Sequence, residues 1–224
     1  MITVETIRER HSVREYDGKP LSRAEFDALI AVVEECARES GLDIQLVGDN
    51  PEVFNVIARF GLIRGCRTHV AFVVDDAKAG DVAANGATEV DCVEMRGARR
   101  TAVDEAIGYW GQKIVLAAQD MGLNTCWCAL CSRKKSHAVV EPGKKIRLVI
   151  AVGHGKTQGF SRKTKSVEAL SSVECAKAPA WFAAAMEAAQ LAPTAMNNQN
   201  FKITLLSDGK TVRIDAPQSG LNVI

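Results

Sequence analysis

The sequence predicts an α+β fold, and three observations carry that prediction. Long stretches place apolar residues at helical spacing, compact apolar runs have strand length, and an Asp-Gly pair separates two such runs near the end of the chain. With 224 residues the chain can bury a substantial core without metal or disulfide staples, and a single domain over 1–224 is expected.

Residues 4–10 read as a short helix, and Ser22-Arg23-Ala24-Glu25 is a capping box opening a longer helix that runs to about Ser40. Phe26, Leu29, Ile30 and Val33 recur along it at helical spacing, so one face is expected to be buried. Residues 43–47 alternate and end in Gly48-Asp49-Asn50, a strand leaving into a turn, after which Pro51 suits the first position of another helix. Residues 69–74 form a compact apolar run expected as a buried strand. Residues 76–100 are rich in Ala, Gly and charge without a sustained period, which predicts a loop-rich excursion.

Helical periodicity returns over 101–121, with Ile107, Trp110, Ile114, Val115 and Ala118 on one side and Gly122 placed as a stop. Residues 124–130 then read as a strand, Ser132 as the cap of a short basic helix, and 146–152 as an apolar strand closed by Gly153-His154-Gly155. Residues 155–165 are polar and basic, and an Ala-rich helix is expected over 179–191 before Pro193. The chain finishes with two strands, 201–206 and 211–214, flanking Ser207-Asp208-Gly209 as a hairpin.

Composition narrows the function classes. The 28 Lys and Arg nearly balance 27 Asp and Glu, so the net charge of +1 offers no footprint for nucleic acid or an anionic membrane. No segment has the length and apolarity to span a bilayer, and the polar N-terminus lacks the apolar block of a secretory signal, so a cytoplasmic location is expected. Seven cysteines, an odd number, fit reduced thiols better than a disulfide framework. A small-molecule partner is the expectation.

Two segments carry the chemistry. Arg10-His11-Ser12-Val13-Arg14-Glu15-Tyr16 gathers two guanidiniums, an imidazole and a hydroxyl, a set suited to a phosphate monoester. Arg10 and Arg14 lie four apart, so a helical or near-helical backbone would aim both at one point; the alternative is a solvated Arg-Glu surface cluster. Residues 192–201, Ala-Pro-Thr-Ala-Met-Asn-Asn-Gln-Asn-Phe, offer amides and a hydroxyl on a Pro-led loop, able to orient the polar edge of a planar cofactor. A weak internal echo relates residues 11–15 to 165–169, each followed by a helix and a strand. Diverged half-repeats, 1–60 and 160–224, or chance similarity would both account for it.

These segments resemble two motifs of the nitroreductase-like FMN-dependent oxidoreductases: an Arg-x-Ser-x-Arg-x-aromatic opening, and an Ala-Pro-Ser-x-x-Asn-x-Gln-Pro-Trp segment with Thr194, Asn200 and Phe201 as departures. Residues 108–112, 122–127 and 150–153 are similar to that family's central helix, following strand and core strand. The second motif lies near the C-terminus, as in a divergent nitroreductase subfamily. The resemblance implies a nitroreductase-like sandwich in which helices surround a mixed, mainly antiparallel sheet, an internal pseudo-dimer or a homodimer, and non-covalently bound FMN. It implies Arg10, His11, Ser12 and Arg14 at the phosphate and ribityl end, with Pro193, Thr194, Ala195, Asn197 and Gln199 flanking the isoalloxazine and ribityl chain. Ala129 and Leu130 match where backbone amides face the reactive ring edge, and Lys165 matches a basic residue reaching the phosphate. The implied reaction takes electrons from NAD(P)H to a small acceptor such as a nitroaromatic or quinone, with no catalytic acid or base among the side chains.

Competing assignments stand beside these: Asn197 and Gln199 as loop caps, Ala129 and Leu130 as core, Lys165 as a solvated charge. Two other functions are open, a flavin- or ligand-binding protein on the same fold without NAD(P)H oxidase activity, and a thiolate metal protein. The latter rests on Cys126, Cys128 and Cys131, of which the first two would share one face of a strand.

Overall fold

The computed structural model describes residues 2–54, 63–75, 93–96, 102–129, 131–174 and 177–216. Contacts divide the chain into two compact units, residues 1–86 with 101–160, and residues 87–100 with 161–224.

The first unit is built on a four-stranded antiparallel sheet in the order β1 (Asp43–Val47), β2 (Thr68–Asp75), β5 (Lys144–Gly153), β4 (Asn124–Cys128). Its two central strands are buried on both faces, as the unbroken apolar runs demand. Val70, Phe72 and Val74 of β2, with Leu148, Ile150 and Val152 of β5, enter one core; Ala71, Val73, Val149 and Ala151 enter the other. Strict alternation would put Ile146 with Leu148, yet Ile146 lies in the second core, because a bulge between Phe72 and Val73 shifts the β2–β5 register.

Helices α1 (Val4–Glu9), α2 (Arg23–Ser40) and α3 (Ala102–Asp120) complete this unit. The capping box at Ser22 forms in both directions, and α2 ends on Gly41 at φ 69°, a left-handed position open to glycine. Leu29, Val33 and Cys36 bury the inner stripe of α2, whereas Phe26 and Ile30 stay half-buried. On α3, Ile107, Trp110, Ile114, Val115 and Ala118 all enter the first core, as their spacing predicts. Gly111 lets α3 approach the sheet closely: a Cβ there would overlap the Trp127 ring, itself stacked on Phe72 with centroids 6.3 Å apart.

His69 on β2 is fully buried, and its Nε2 lies 2.8 Å from the Ser136 hydroxyl. Burial, reinforced by His137, lowers its pKa to about 4, against about 6.5 for an unperturbed histidine. The unfolded chain therefore binds a proton here that the folded chain refuses. Stability is complete above about pH 6.5 and falls as pH drops toward about 4, by at most about 3 kcal/mol. Urea unfolding at about pH 7 and about pH 4.5 is expected to show a steeper loss in the wild type than in His69→Gln; equal slopes would refute the assignment.

The second unit has a three-stranded sheet in the order β3 (Val93–Arg96), β7 (Val212–Asp215), β6 (Lys202–Leu205), with β3 parallel to β7 and β6 antiparallel to it. The one-turn α4 (Val167–Leu170) and α5 (Ala180–Gln190) supply Leu170, Phe182 and Met186 to its small core. Thr211 donates from its amide and hydroxyl to Asp208, closing the predicted hairpin. Each unit thus contains a helix followed by an edge strand, α2 with β1 and α5 with β6.

Three expectations are corrected. Val93–Arg96 is a strand inside the stretch expected as loop, four alternating residues being too short a pattern to stand out. Over 51–54 the helix opened by Pro51 is a 3-10 turn, and Ser132 precedes the basic turn without capping it by its side chain. The rest of the 76–100 excursion, the continuation beyond residue 54 and Leu130 lie outside the described residues.

Candidate functional site

In the first unit the arginine-rich segment is extended, not helical. Helix α1 ends at Glu9, and Arg10 leaves it with φ −69° and ψ 113°. The segment then lies beside the end of β4: Ser12 bridges Thr125 in parallel sense, and the Val13 amide donates to the Thr125 carbonyl at 3.0 Å. Further along, the Tyr16 amide donates to Arg64 O at 2.9 Å, the Arg64 amide donates to Arg14 O at 2.8 Å, and the Asp17 amide donates to His154 O at 2.9 Å. Tyr16 is buried against Gly153, and Val13 packs in the same core. Asn124 secures the opposite rim, accepting from the Gly155 amide and donating to Gln158 Oε1, both at 2.9 Å.

Alternation along the segment is not strict, because Val13 and Tyr16 both enter the second core. Arg14 Nη1 reaches back to the Ser12 carbonyl at 3.4 Å, and His11 packs its Cβ toward Gly159.

Arg10 is 7% exposed, and burial lowers its pKa while Cys126 raises it. Burial lowers the pKa of His11 as well, with Arg10 adding to the effect. A buried guanidinium on a segment that also carries a second arginine and a hydroxyl supplies donors suited to phosphate oxygens.

Ala129 follows β4, half-buried, and its carbonyl accepts from Arg133 Nη2 at 2.7 Å. Leu130, its partner in the expected amide pair, lies outside the described residues.

The second unit holds the Pro-led loop. Thr194 precedes a 3-10 turn, Ala195–Asn197, and three non-glycine residues adopt left-handed φ: Met196 at 52°, Asn197 at 56° and Gln199 at 44°. Such positions cost on the order of 1 kcal/mol or more each and persist only where surrounding bonds enforce them. Gln199 supplies that enforcement from a buried position, 2% exposed. Its amide N–H donates to Thr194 Oγ1 at 3.0 Å, its Oε1 accepts from the Lys165 amide at 2.6 Å, and its Nε2 donates to Gln190 O at 2.7 Å. Lys165 Nζ donates to the Gln199 carbonyl at 3.0 Å, and Asn197 Nδ2 donates to Lys163 O at 2.9 Å.

Lys165, Thr194, Asn197 and Gln199 are thus brought together within this unit, and Gln199 has both ends of its amide engaged in holding the loop. Pro193 and Thr194 remain half-buried, Ala195 is exposed, and Met196 stands 82% exposed at the tip. Sequence reasoning missed Gln190, whose Nε2 also ties down Lys165 O at 2.7 Å, and the Asn124 clamp. Neither has a local signal, since a polar residue ending a helix or starting a strand is ordinary.

Among the described residues no group of three or more His, Cys, Asp or Glu side chains is placed to hold a metal ion. No described helix is long and apolar enough to cross a membrane.

The family model Putative TM nitroreductase matches residues 2–89 and 87–223. Among solved structures the chain is similar to a putative nitroreductase from Thermotoga maritima, at 18% identity with a TM-score of 0.57, over 92% of this chain and 73% of that one. It is also similar to a nitroreductase family protein from Clostridium difficile, at 14% identity and a TM-score of 0.51, over 72% of this chain and 88% of that one. A putative nitroreductase from Desulfovibrio desulfuricans, solved in complex with FMN, matches at 18% identity with a TM-score of 0.50, over 75% and 94% of the two chains. At these identities the likeness speaks for the fold. No curated protein matches the chain.

Proposed function

We propose that this chain, which belongs to the Putative TM nitroreductase family, is a cytoplasmic FMN-dependent oxidoreductase taking electrons from NAD(P)H to a small acceptor such as a nitroaromatic or quinone. The observation that carries the flavin reading is the extended segment holding Arg10, Ser12 and Arg14 beside β4, with Arg10 buried. FMN, when bound, supplies the two-electron hydride chemistry of such an enzyme.

The chain's own residues bind and orient. Arg10, Ser12 and Arg14 hold the phosphate, and His11, packed toward Gly159, supports the segment from behind. Pro193, Thr194, Ala195 and Asn197 line the ring and ribityl chain, while Gln199 and Lys165 hold their loop in its left-handed conformation. Ala129 presents its backbone amide to the ring edge. One flavin per chain is expected, since each motif occurs once in the sequence.

The decisive experiment is anaerobic titration of the purified protein with NADH and with NADPH while flavin absorbance is followed. A yellow protein carrying one FMN per chain that bleaches supports the enzyme. Bound flavin that stays oxidised favours a binding protein on the same fold, a reading to which Asn200 and Phe201 point because they replace the Pro-Trp of the related motif. Protein that binds no FMN, or two per chain, overturns the assignment.

A further inference from the structure

Within the first unit the arginine segment is supported from two directions. On one, β4 supplies backbone contacts at Thr125 to Ser12 and Val13. On the other, the segment that leaves β5, residues 154–159, runs beside it: Tyr16 bridges Gly155 in antiparallel sense, and the Lys156 amide donates to Glu15 O at 2.9 Å. Two glycines permit the close approach. A Cβ on Gly155 would stand 2.7 Å from Val13 Cγ1, and one on Gly159 would stand 2.7 Å from the His11 Cβ and 3.5 Å from the Ser12 carbonyl oxygen. Residues 154–159 therefore pack directly on the backbone that carries Ser12.

One side chain joins the two supports. Asn124 opens β4, one residue before Thr125, and is 3% exposed. Its Oδ1 accepts from the Gly155 amide and its Nδ2 donates to Gln158 Oε1, each at 2.9 Å. Both ends of residues 155–158 are thus fastened to the strand that also holds Val13. A further tie, His154 Nε2 to Glu25 Oε1 at 3.2 Å, secures only the first residue of the segment. A buried amide gains little net stability over an apolar side chain of its size, but once paired at both ends it fixes one arrangement of the groups it joins.

We infer that Asn124 is a positioning residue for the FMN phosphate. By fastening residues 155–158 to β4 it fixes the backbone at Ser12, and with it the angles at which Ser12 and Arg14 meet the phosphate oxygens. Hydrogen bonds weaken steeply as their angle departs from linear, and a planar guanidinium grips two oxygens only in one orientation. The inference rests on the flavin reading and deepens it, since Asn124 lies in neither of the two motifs.

The test titrates wild type, Asn124→Ala and Gln158→Leu with FMN and with riboflavin by fluorescence, and follows thermal unfolding of each apoprotein. Asn124→Ala is expected to weaken FMN binding about tenfold while riboflavin affinity stays within about twofold of wild type. Gln158→Leu removes only the Nδ2 bond, and is expected to show a smaller loss, about threefold, with the same selectivity for FMN.

A side chain that merely stabilised the fold would lower the unfolding temperature and leave the FMN-to-riboflavin ratio at its wild-type value. That outcome overturns the inference, as does unchanged affinity for both flavins. Gln158 is exposed, so its variant decides the matter even where Asn124→Ala does not fold. A wild type that binds riboflavin as tightly as FMN overturns the phosphate reading itself. A ratio that shifts in Arg10→Met but in neither Asn124→Ala nor Gln158→Leu overturns the role of Asn124 alone.

Discussion

Replacing Arg10 by Met is expected to weaken FMN binding roughly tenfold to a hundredfold and leave riboflavin binding unchanged. The two flavins differ only in the phosphate, so the ratio of their affinities reports on the phosphate contact alone. A hydrogen bond to a charged group contributes about 1.5–3 kcal/mol, and each 1.4 kcal/mol is about tenfold in affinity. Arg10 sits at the upper end because its guanidinium is 7% exposed, where salt and water screen it little. Arg14 is half-buried, so Arg14→Met is expected to show a smaller loss of the same kind.

Arg10→Lys is expected to fall between wild type and Arg10→Met, since a point charge replaces the planar fork that can grip two oxygens at once. Fluorescence titration of both flavins against each variant measures all of this. An equal loss of FMN and riboflavin affinity would show that Arg10 supports the fold and does not meet the phosphate, and thermal unfolding of the apoprotein would then show the same loss.

Gln199→Ala should act on flavin binding without regard to the phosphate. The side chain closes a loop in which Met196, Asn197 and Gln199 all hold left-handed φ, and it satisfies the Lys165 amide and the Gln190 carbonyl from a buried position. Truncation removes both bonds, and with water reaching the half-exposed partners in part, a destabilisation of about 2–3 kcal/mol is expected.

The loop is then free to relax toward ordinary φ, so FMN and riboflavin affinities should fall together. Gln199→Glu keeps the acceptor toward the Lys165 amide but turns the donor toward Gln190 O into a second acceptor facing a carbonyl; it should be no better than alanine. Thermal unfolding, hydrogen exchange over residues 192–200 and the two flavin titrations check the expectation. Unchanged exchange in that loop, or a loss confined to FMN, would refute the positioning role.

Local signals were read well where one residue type has one use. The Ser22–Glu25 capping box, Gly122 after its helix, and the Asp208 turn stand where the sequence places them, because caps and turns are decided within a few residues. The apolar stripe of α3 was equally legible, since a periodicity sustained over five turns leaves one buried face. Short elements were not. Four alternating residues made β3, and only its backbone partners in β7 distinguish that strand from the surrounding charged stretch.

The arginine segment shows the same limit at the candidate site. Spacing four apart suggested a helix that would aim Arg10 and Arg14 together, but the backbone bonds from Val13 to Thr125 and from Tyr16 to Arg64 hold it extended. The backbone of this segment was not legible from the spacing, because the groups that extend it lie far along the chain.

By itself the sequence determined the long elements, the inventory of donors in the two motifs and the family to which they point, since these depend on residue type, short spacing and pattern. Tertiary structure alone decided how those donors are held. It buried Arg10 beside β4 and tied Gln199 to Lys165 and Gln190. The physical reason is that burial and hydrogen-bond satisfaction are set by groups many residues away, and no local pattern encodes which distant backbone will supply the partner.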